Sequence, residues 1–202
     1  MTGASRGVGR QLALHLAERG AAVAAVARAS AALTGLPEEA ARAGGRLRAL
    51  AADVTVATDV ENAFAAVDTD LGAVTLAVAC AGTGGPLGPL HLADPEAWWR
   101  AVEVDLHGSM LTARSAVGRM VRSRAGRFVL VYGNLGDRLG AYVSAFAAAK
   151  AGVARLTEVL AAEVADRGVG VFGIHPGFVR TPLTERLAWG TEGKAWLPRF
   201  GN

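Results

Sequence analysis

Thr2-Gly3-Ala4-Ser5-Arg6-Gly7-Val8-Gly9 spaces its glycines as Gly-x-x-x-Gly-x-Gly. Glycine permits a tight turn and lets the backbone come close to a ligand. Where such a turn runs into a helix, the free N–H groups and the positive end of the dipole suit a pyrophosphate. Glycine-rich turns also arise for structural reasons, so the surrounding elements decide the reading. Further along, the side chains able to move a proton or hold charge near element ends are Asp53, Asp105, Lys150 and His175, with Tyr132 and Tyr142 as the chain's two tyrosines. Tyr142, Phe146 and Lys150 stand at i, i+4 and i+8, the spacing of one helix face. The four histidines have no paired spacing, so no metal site is expected.

The elements that must position these residues alternate short apolar runs with longer helical stretches, the pattern of a parallel sheet covered by helices. A first helix is expected from about Gly7 to Arg19, stopping at Gly20, and a strand from Ala21 to Ala27. A weak helix follows over Ala31 to Ala43, then a strand over Leu47 to Ala51 and a helix from Thr58 to Leu71 with Val60, Ala63, Phe64 and Val67 on one face. Val74 to Ala79 is the next strand, and Gly82 to Pro89 a loop. Asp94-Pro95 opens a helix as N-cap and first helical residue, and that region continues with a bend towards Arg124. Phe128 to Tyr132 reads as a strand, Tyr142 to Asp166 as a long helix, and Val169 to His175 as a strand ended by Pro176-Gly177. The tail from Thr184 to Asn202 shows no clear period. One element has no residues: a dinucleotide fold places a strand directly before its glycine turn, and here the turn begins at Thr2. A gap in the sheet or a misplaced start is expected, with Met1 standing at that strand's last apolar position.

The chain has 202 residues, half of them apolar, enough for one domain with a real core. No apolar run approaches the ~18 residues of a membrane span, and the start lacks the apolar core of a signal peptide. With Cys80 alone no internal disulfide forms, so a reducing cytoplasm is the expected home. Arg114, Arg119, Arg122, Arg124 and Arg127 cluster at an expected helix end, where cations favour the dipole. Without a recognition motif beside them, no nucleic-acid binding is expected. At the end of the first expected strand, Ala27-Arg28-Ala29-Ser30 offers no acid to accept a ribose hydroxyl. Arg28 and Arg6 could instead pair with a 2′-phosphate through forked, charged hydrogen bonds, which favours NADP(H) over NAD(H).

The glycine string resembles the fingerprint of the short-chain dehydrogenase/reductase family, and further motifs follow in order: Asp53-Val54, Cys80-Ala81-Gly82 in place of Asn-Ala-Gly, Lys150 in its helix, and Pro176-Gly177-Phe178-Val179-Arg180-Thr181. The resemblance implies an α/β fold, a Rossmann-type doubly wound parallel sheet, here lacking its first strand and the last C-terminal strand. It implies a single nucleotide-binding domain over 1–202, with 185–202 as the remnant of a substrate lid, and cofactor contacts from Gly3, Ser5, Arg6, Gly7, Gly9, Arg28, Asp53, Val54, Ala81, Gly82, Lys150, Pro176, Gly177, Val179 and Thr181. Apolar residues such as Trp189 and Trp196 suit a lid. A homodimer or homotetramer and a small carbonyl or alcohol substrate are likewise implied.

The family's proton chemistry uses Asn, Ser, Tyr and Lys. At the matching positions this chain keeps Lys150, but has Phe146 for Tyr, Gly133 for Ser and Asp105 for Asn. Phe146 keeps a ring and removes the hydroxyl that would pass the proton. Positioned acid catalysis is typically worth ~10²–10⁴-fold, so weak or absent turnover is expected. Tyr142, one turn before Phe146, is a candidate substitute donor, Tyr132 a second, and Asp105 a candidate base. Two functions compete: an NADP(H)-dependent oxidoreductase with an altered site, and an inactive nucleotide- or partner-binding relative or truncated product. A methyltransferase-like domain is disfavoured by Lys150 and the Pro-Gly-x-x-x-Thr motif.

Overall fold

Five parallel strands alternate with helices in the computed structural model, which describes residues 1–133 and 140–197. The glycine turn leads into α1 (Gly7–Glu18), and β1 (Ala22–Ala27) follows beyond Gly20, whose φ of +87° suits only glycine readily. β1 pairs in parallel with β2 (Arg46–Ala51), Val23 facing Leu47 and Val26 facing Leu50. The single helix expected between them is two, α2 (Ala31–Thr34) and α3 (Leu36–Arg42). Ser30 caps the first by accepting the Leu33 N–H, and Gly35 separates it from the second.

After α4 (Ala57–Asp70), β3 (Leu76–Ala79), β4 (Gly126–Val131) and β5 (Val169–Ile174) form a second parallel set in that order. The crossover from β3 to β4 holds α5 (Pro95–Val102), capped by Asp94, then a π-helical segment over Glu103–His107, then α6 (Gly108–Ser123). The expected bend is therefore a widened turn, a feature often found at functional sites. α7 (Ser144–Glu163) leads to β5 and is shorter than expected. Tyr142 lies before it with φ +67°, a left-handed conformation that ends helical geometry. Tyr142 thus does not share a helix face with Phe146 and Lys150, which corrects the i, i+4, i+8 expectation. The tail without a visible period forms α8 (Pro182–Trp189) and α9 (Thr191–Trp196). Both are short, and their start signals are a Thr181–Thr184 capping box with Pro182 for α8 and Gly190 for α9.

Met1 and Thr2 hydrogen-bond to both strand sets. The Met1 carbonyl accepts the Val26 N–H at 2.8 Å, and the Thr2 N–H donates to Val78 at 3.0 Å. Behind them, between β1 and β3, lies a cavity of about 300 Å³ lined by Leu16, Ala24, Val60, Phe64, Val67 and Val78 among others. The core accordingly has two main centres. Phe128, Leu130, Met120 and Val153 are fully buried around β4, while Leu33, Leu36, Ala17 and Ala25 are buried around β1. Each large side chain among them contributes about 1.5–3 kcal/mol relative to exposure. No described helix is long and apolar enough to cross a membrane.

Candidate functional site

The segments that follow the strands, Ala27-Arg28, Asp53-Val54, Cys80 to Thr83, Tyr132-Gly133 and His175 to Gly177, line one crevice of about 1200 Å³. That is the carboxyl end of the sheet, where open parallel sheets bind ligands. The glycine turn and Lys150 line the same crevice.

At one end, the turn is locked against β3. Gly3 has φ +67°, and a Cβ there would stand 2.7 Å from Ala81 Cα. The Thr2 hydroxyl accepts the N–H groups of Cys80 and Ala81 at 3.2 and 3.4 Å. α1 begins with no acidic residue in its first turn and no side-chain cap, which leaves its positive end suited to an anion. Arg6 and Arg28 are exposed on the rim, and among the described residues neither forms a salt bridge. Asp53 accepts the Thr55 N–H at 2.9 Å and its hydroxyl at 2.8 Å. The backbone hydrogen bond from Thr55 is the main reason its carboxyl lies below the usual range, with Arg28 and Arg100 assisting by charge. Val54 is buried at the edge of the crevice. Ser5, Gly7, Gly9, Ala81, Pro176, Val179 and Thr181 all line it, so the structure brings together every residue expected to hold a cofactor. Thr181 is also engaged in capping α8.

At the other end, Lys150 is buried on α7 and donates to the Val131 carbonyl at 3.2 Å. Its ammonium lies 5.5 Å from the centre of the Phe146 ring, one helical turn earlier. Asp105, in the π-helical segment, is fully buried, with Oδ1 at 3.7 Å from Lys150 Nζ and accepting the Thr83 N–H at 2.8 Å. Burial pushes its carboxyl up to about 6, against the opposing pull of the Lys150 charge and the Thr83 N–H. Oδ2 has no hydrogen-bond partner among the described residues. Gly133 has φ +79°, and no described residue stands within 4 Å of where a Cβ would be.

The two tyrosines divide. Tyr132 lines the crevice and its ring packs over Gly173, as a wall. Tyr142 does not line it; its ring lies tilted at 41° against Trp196, centroids 5.3 Å apart. Tyr142 thus stands off the helix face that carries Phe146 and Lys150. His175 accepts the Gly177 N–H at 3.1 Å and shapes the turn. No group of metal ligands is found among the described residues.

Arg100 and Val104 line the crevice without having been singled out in the sequence. They reach it because the crossover after β3 folds back over Asp53, a long-range placement with no local signal. Gly82 carries a further role: a Cβ there would stand 2.6 Å from Asp105 Oδ1, so glycine at this position leaves room for the acid. Leu87, Val143 and Leu187 form a buried apolar cluster with Phe146, Leu183 and Trp196 against it, and Phe146, Leu183 and Leu187 face the crevice.

The geometry agrees with what the chain is similar to. The family model for short chain dehydrogenase matches residues 1–190. The short-chain reductase protein NovJ of Streptomyces niveus is 36% identical over 188 residues, 93% of this chain and 71% of that protein. The 3-oxoacyl-(acyl-carrier-protein) reductase of Bos taurus is 35% identical over 185 residues, 92% of this chain and 76% of that protein. The solved structure of an actinorhodin polyketide ketoreductase with NADPH superposes with a TM-score of 0.87 at 30% identity, covering 92% of this chain and 72% of that one. The ordered motifs, the parallel sheet and these matches agree: the chain belongs to the short-chain dehydrogenase family of oxidoreductases, whose members bind a nicotinamide cofactor.

Proposed function

We propose that this chain is an NADP(H)-dependent oxidoreductase of a small carbonyl or alcohol substrate, with a proton-handling site altered from its family's pattern. The observation that carries this reading is the single crevice joining the glycine turn, the uncapped start of α1 and the buried Lys150. The residues fit the cofactor: a turn that admits no side chain at Gly3 and an anion-ready helix end sit on the same crevice as a buried ammonium. Arg6 and Arg28 favour a 2′-phosphate, since both are exposed on the rim and no acid follows β1. A solved relative that holds NADPH supports the same preference.

When bound, a reduced nicotinamide supplies the hydride. Lys150 would hold the adjoining ribose and place its ammonium beside the reacting oxygen. The apolar faces of Phe146, Leu183 and Leu187 suit an apolar substrate, with α8 and α9 serving as its cover. We read residues 1–202 as one domain acting in a homodimer or homotetramer. The second reading, a nucleotide-binding relative without turnover, is favoured by one observation, the ring without a hydroxyl at Phe146.

A fluorescence titration of the purified chain with NADPH and with NADH tests the cofactor half. Saturable binding tighter for NADPH is the expected result; no binding of either overturns the oxidoreductase reading. Turnover of a ketone probe by the NADPH-loaded chain then separates enzyme from binding relative.

A further inference from the structure

We infer that Asp105 and Lys150 together supply the proton that a tyrosine hydroxyl would otherwise give, Lys150 passing it to the substrate oxygen and Asp105 restoring it from behind. This rests on the oxidoreductase reading above. Lys150 is held on one side by the Val131 carbonyl at 3.2 Å and on another by Asp105 at 3.7 Å. Its remaining approach lies beside the Phe146 ring, into the crevice. Phe146 carries no hydroxyl, and it and Lys150 both line the crevice, from which a substrate oxygen or one bridging water can reach the ammonium.

Asp105 does not itself line the crevice, so it acts on the substrate only through Lys150 and is a positioning and proton-storing residue. Its Oδ2 is a buried oxygen without a partner among the described residues, a state that is costly for a carboxylate and less so for a carboxylic acid. Burial independently favours the protonated form, raising the carboxyl to about 6 against the pull of Lys150 and Thr83. The other charged groups nearby do not compensate it. Glu103 pairs with Arg100 at 3.2 Å, His107 is exposed, and the Cys80 thiol, pushed up by burial, is coupled to Lys150. Gly82, across from Oδ1, keeps the space between acid and crevice wall free of a side chain.

In the reductive direction the hydride adds to the carbonyl carbon and the C=O pair moves onto oxygen. An N–H proton of Lys150 goes to that oxygen, giving the alcohol. The neutral amine then takes the proton of the Asp105 carboxylic acid, and the resulting carboxylate is reprotonated from solvent before the next turnover. The first two transfers run from the stronger acid to the stronger base, and the third, from solvent to the carboxylate, is favourable below about pH 6.

The test follows kcat/KM for NADPH-dependent reduction of cyclohexanone between pH 5 and 8.5, in the parent, Asp105→Asn, Phe146→Tyr and the double variant. The parent is expected to lose about tenfold or more as pH rises past the range where Asp105 holds its proton. Asp105→Asn removes that dependence and leaves a low, flat rate; Phe146→Tyr restores a high rate on which Asp105→Asn has little effect. A second readout needs neither cofactor nor turnover. Because the folded carboxyl is raised above its unfolded value, its contribution is complete at pH 4 and below and is lost as pH rises through about 6. The Tm of Asp105→Asn relative to the parent should therefore climb by about 5 °C or more between pH 4 and pH 7. A pH profile shared by parent and Asp105→Asn, or a Tm difference independent of pH, overturns the inference alone. No turnover by either the parent or Phe146→Tyr overturns the oxidoreductase reading and the inference with it.

Discussion

At one end of the crevice the groups facing a ligand are mostly backbone N–H groups and close-packed glycines; at the other they are single side chains. The glycine-turn end rests on Gly3 against Ala81, the uncapped start of α1 and the Thr2 hydroxyl tying the turn to β3. The proton end rests on Lys150, Asp105, Phe146 and Gly133. A backbone site is distributed over a spacing pattern, and changing it disturbs the fold around it. A side-chain site can lose its chemistry by one atom while the fold stays: Phe146 differs from a tyrosine by a single oxygen. The difference between the two ends means that a chain matching its family model over residues 1–190 could keep its fold while the proposed proton step changes at single side chains.

The largest expected effect sharpens this contrast. Phe146→Tyr puts a hydroxyl back beside Lys150 and should raise kcat/KM for ketone reduction about 100-fold, the lower part of the range for a positioned acid. NADPH affinity should be unchanged, because the substituted position does not touch the turn. A gain of that size with unaltered binding means that the two ends are separable; equal changes in both would break the comparison. At the opposite end, Gly3→Ala forces a Cβ to 2.7 Å from Ala81 at φ +67°. It should cost about 2–4 kcal/mol of stability and weaken NADPH binding by about tenfold or more. Denaturant unfolding and the same titration check both. If stability falls while binding holds, the turn is structural and not a cofactor cradle.

The contrast also governs what the sequence made legible. Strand and helix alternation, the Asp94 cap and the glycine turn are local patterns, and the element order they imply is the one observed. The π-helical segment, the two short helices α8 and α9, and the interruption at Gly35 were less visible, since each depends on packing against distant elements. Among the site residues, those expected to hold the cofactor meet in one crevice because the strand ends bring them there. What no spacing rule revealed is the burial of Asp105: its aspartate is visible in the sequence, but its unpartnered oxygen and its distance to Lys150 come from α5, α6 and α7 closing over the end of β3. Tyr142 left the expected helix face for a local reason, its left-handed backbone two positions before the helix start.

A smaller effect is expected at Gly133, the position expected from the sequence to match the family's serine. Its φ of +79° is unfavourable for serine even though, among the described residues, nothing stands within 4 Å of a new Cβ. Gly133→Ser should therefore cost about 1–2 kcal/mol through backbone strain alone. Denaturant unfolding measures it directly. A stability loss without a gain in activity means that the backbone after β4 has diverged along with the side chain, whereas no loss would mean that this segment relaxes freely.

The smallest effect is at Tyr142, and a null result there is informative. Its ring lies against Trp196 and its residue precedes α7, so its hydroxyl has no route to Lys150 through the helix face. Tyr142→Phe keeps the ring contact and removes only the hydroxyl. Stability should stay within about 0.5 kcal/mol, as for a surface change away from any buried network, and kcat/KM should be unchanged across pH. Combined with Phe146→Tyr, the substitution should still have no effect, because a restored phenol beside Lys150 leaves nothing for Tyr142 to supply. A fall in the parent's activity on losing the Tyr142 hydroxyl, absent once Phe146→Tyr is in place, would instead identify Tyr142 as the donor and displace Asp105 from that role.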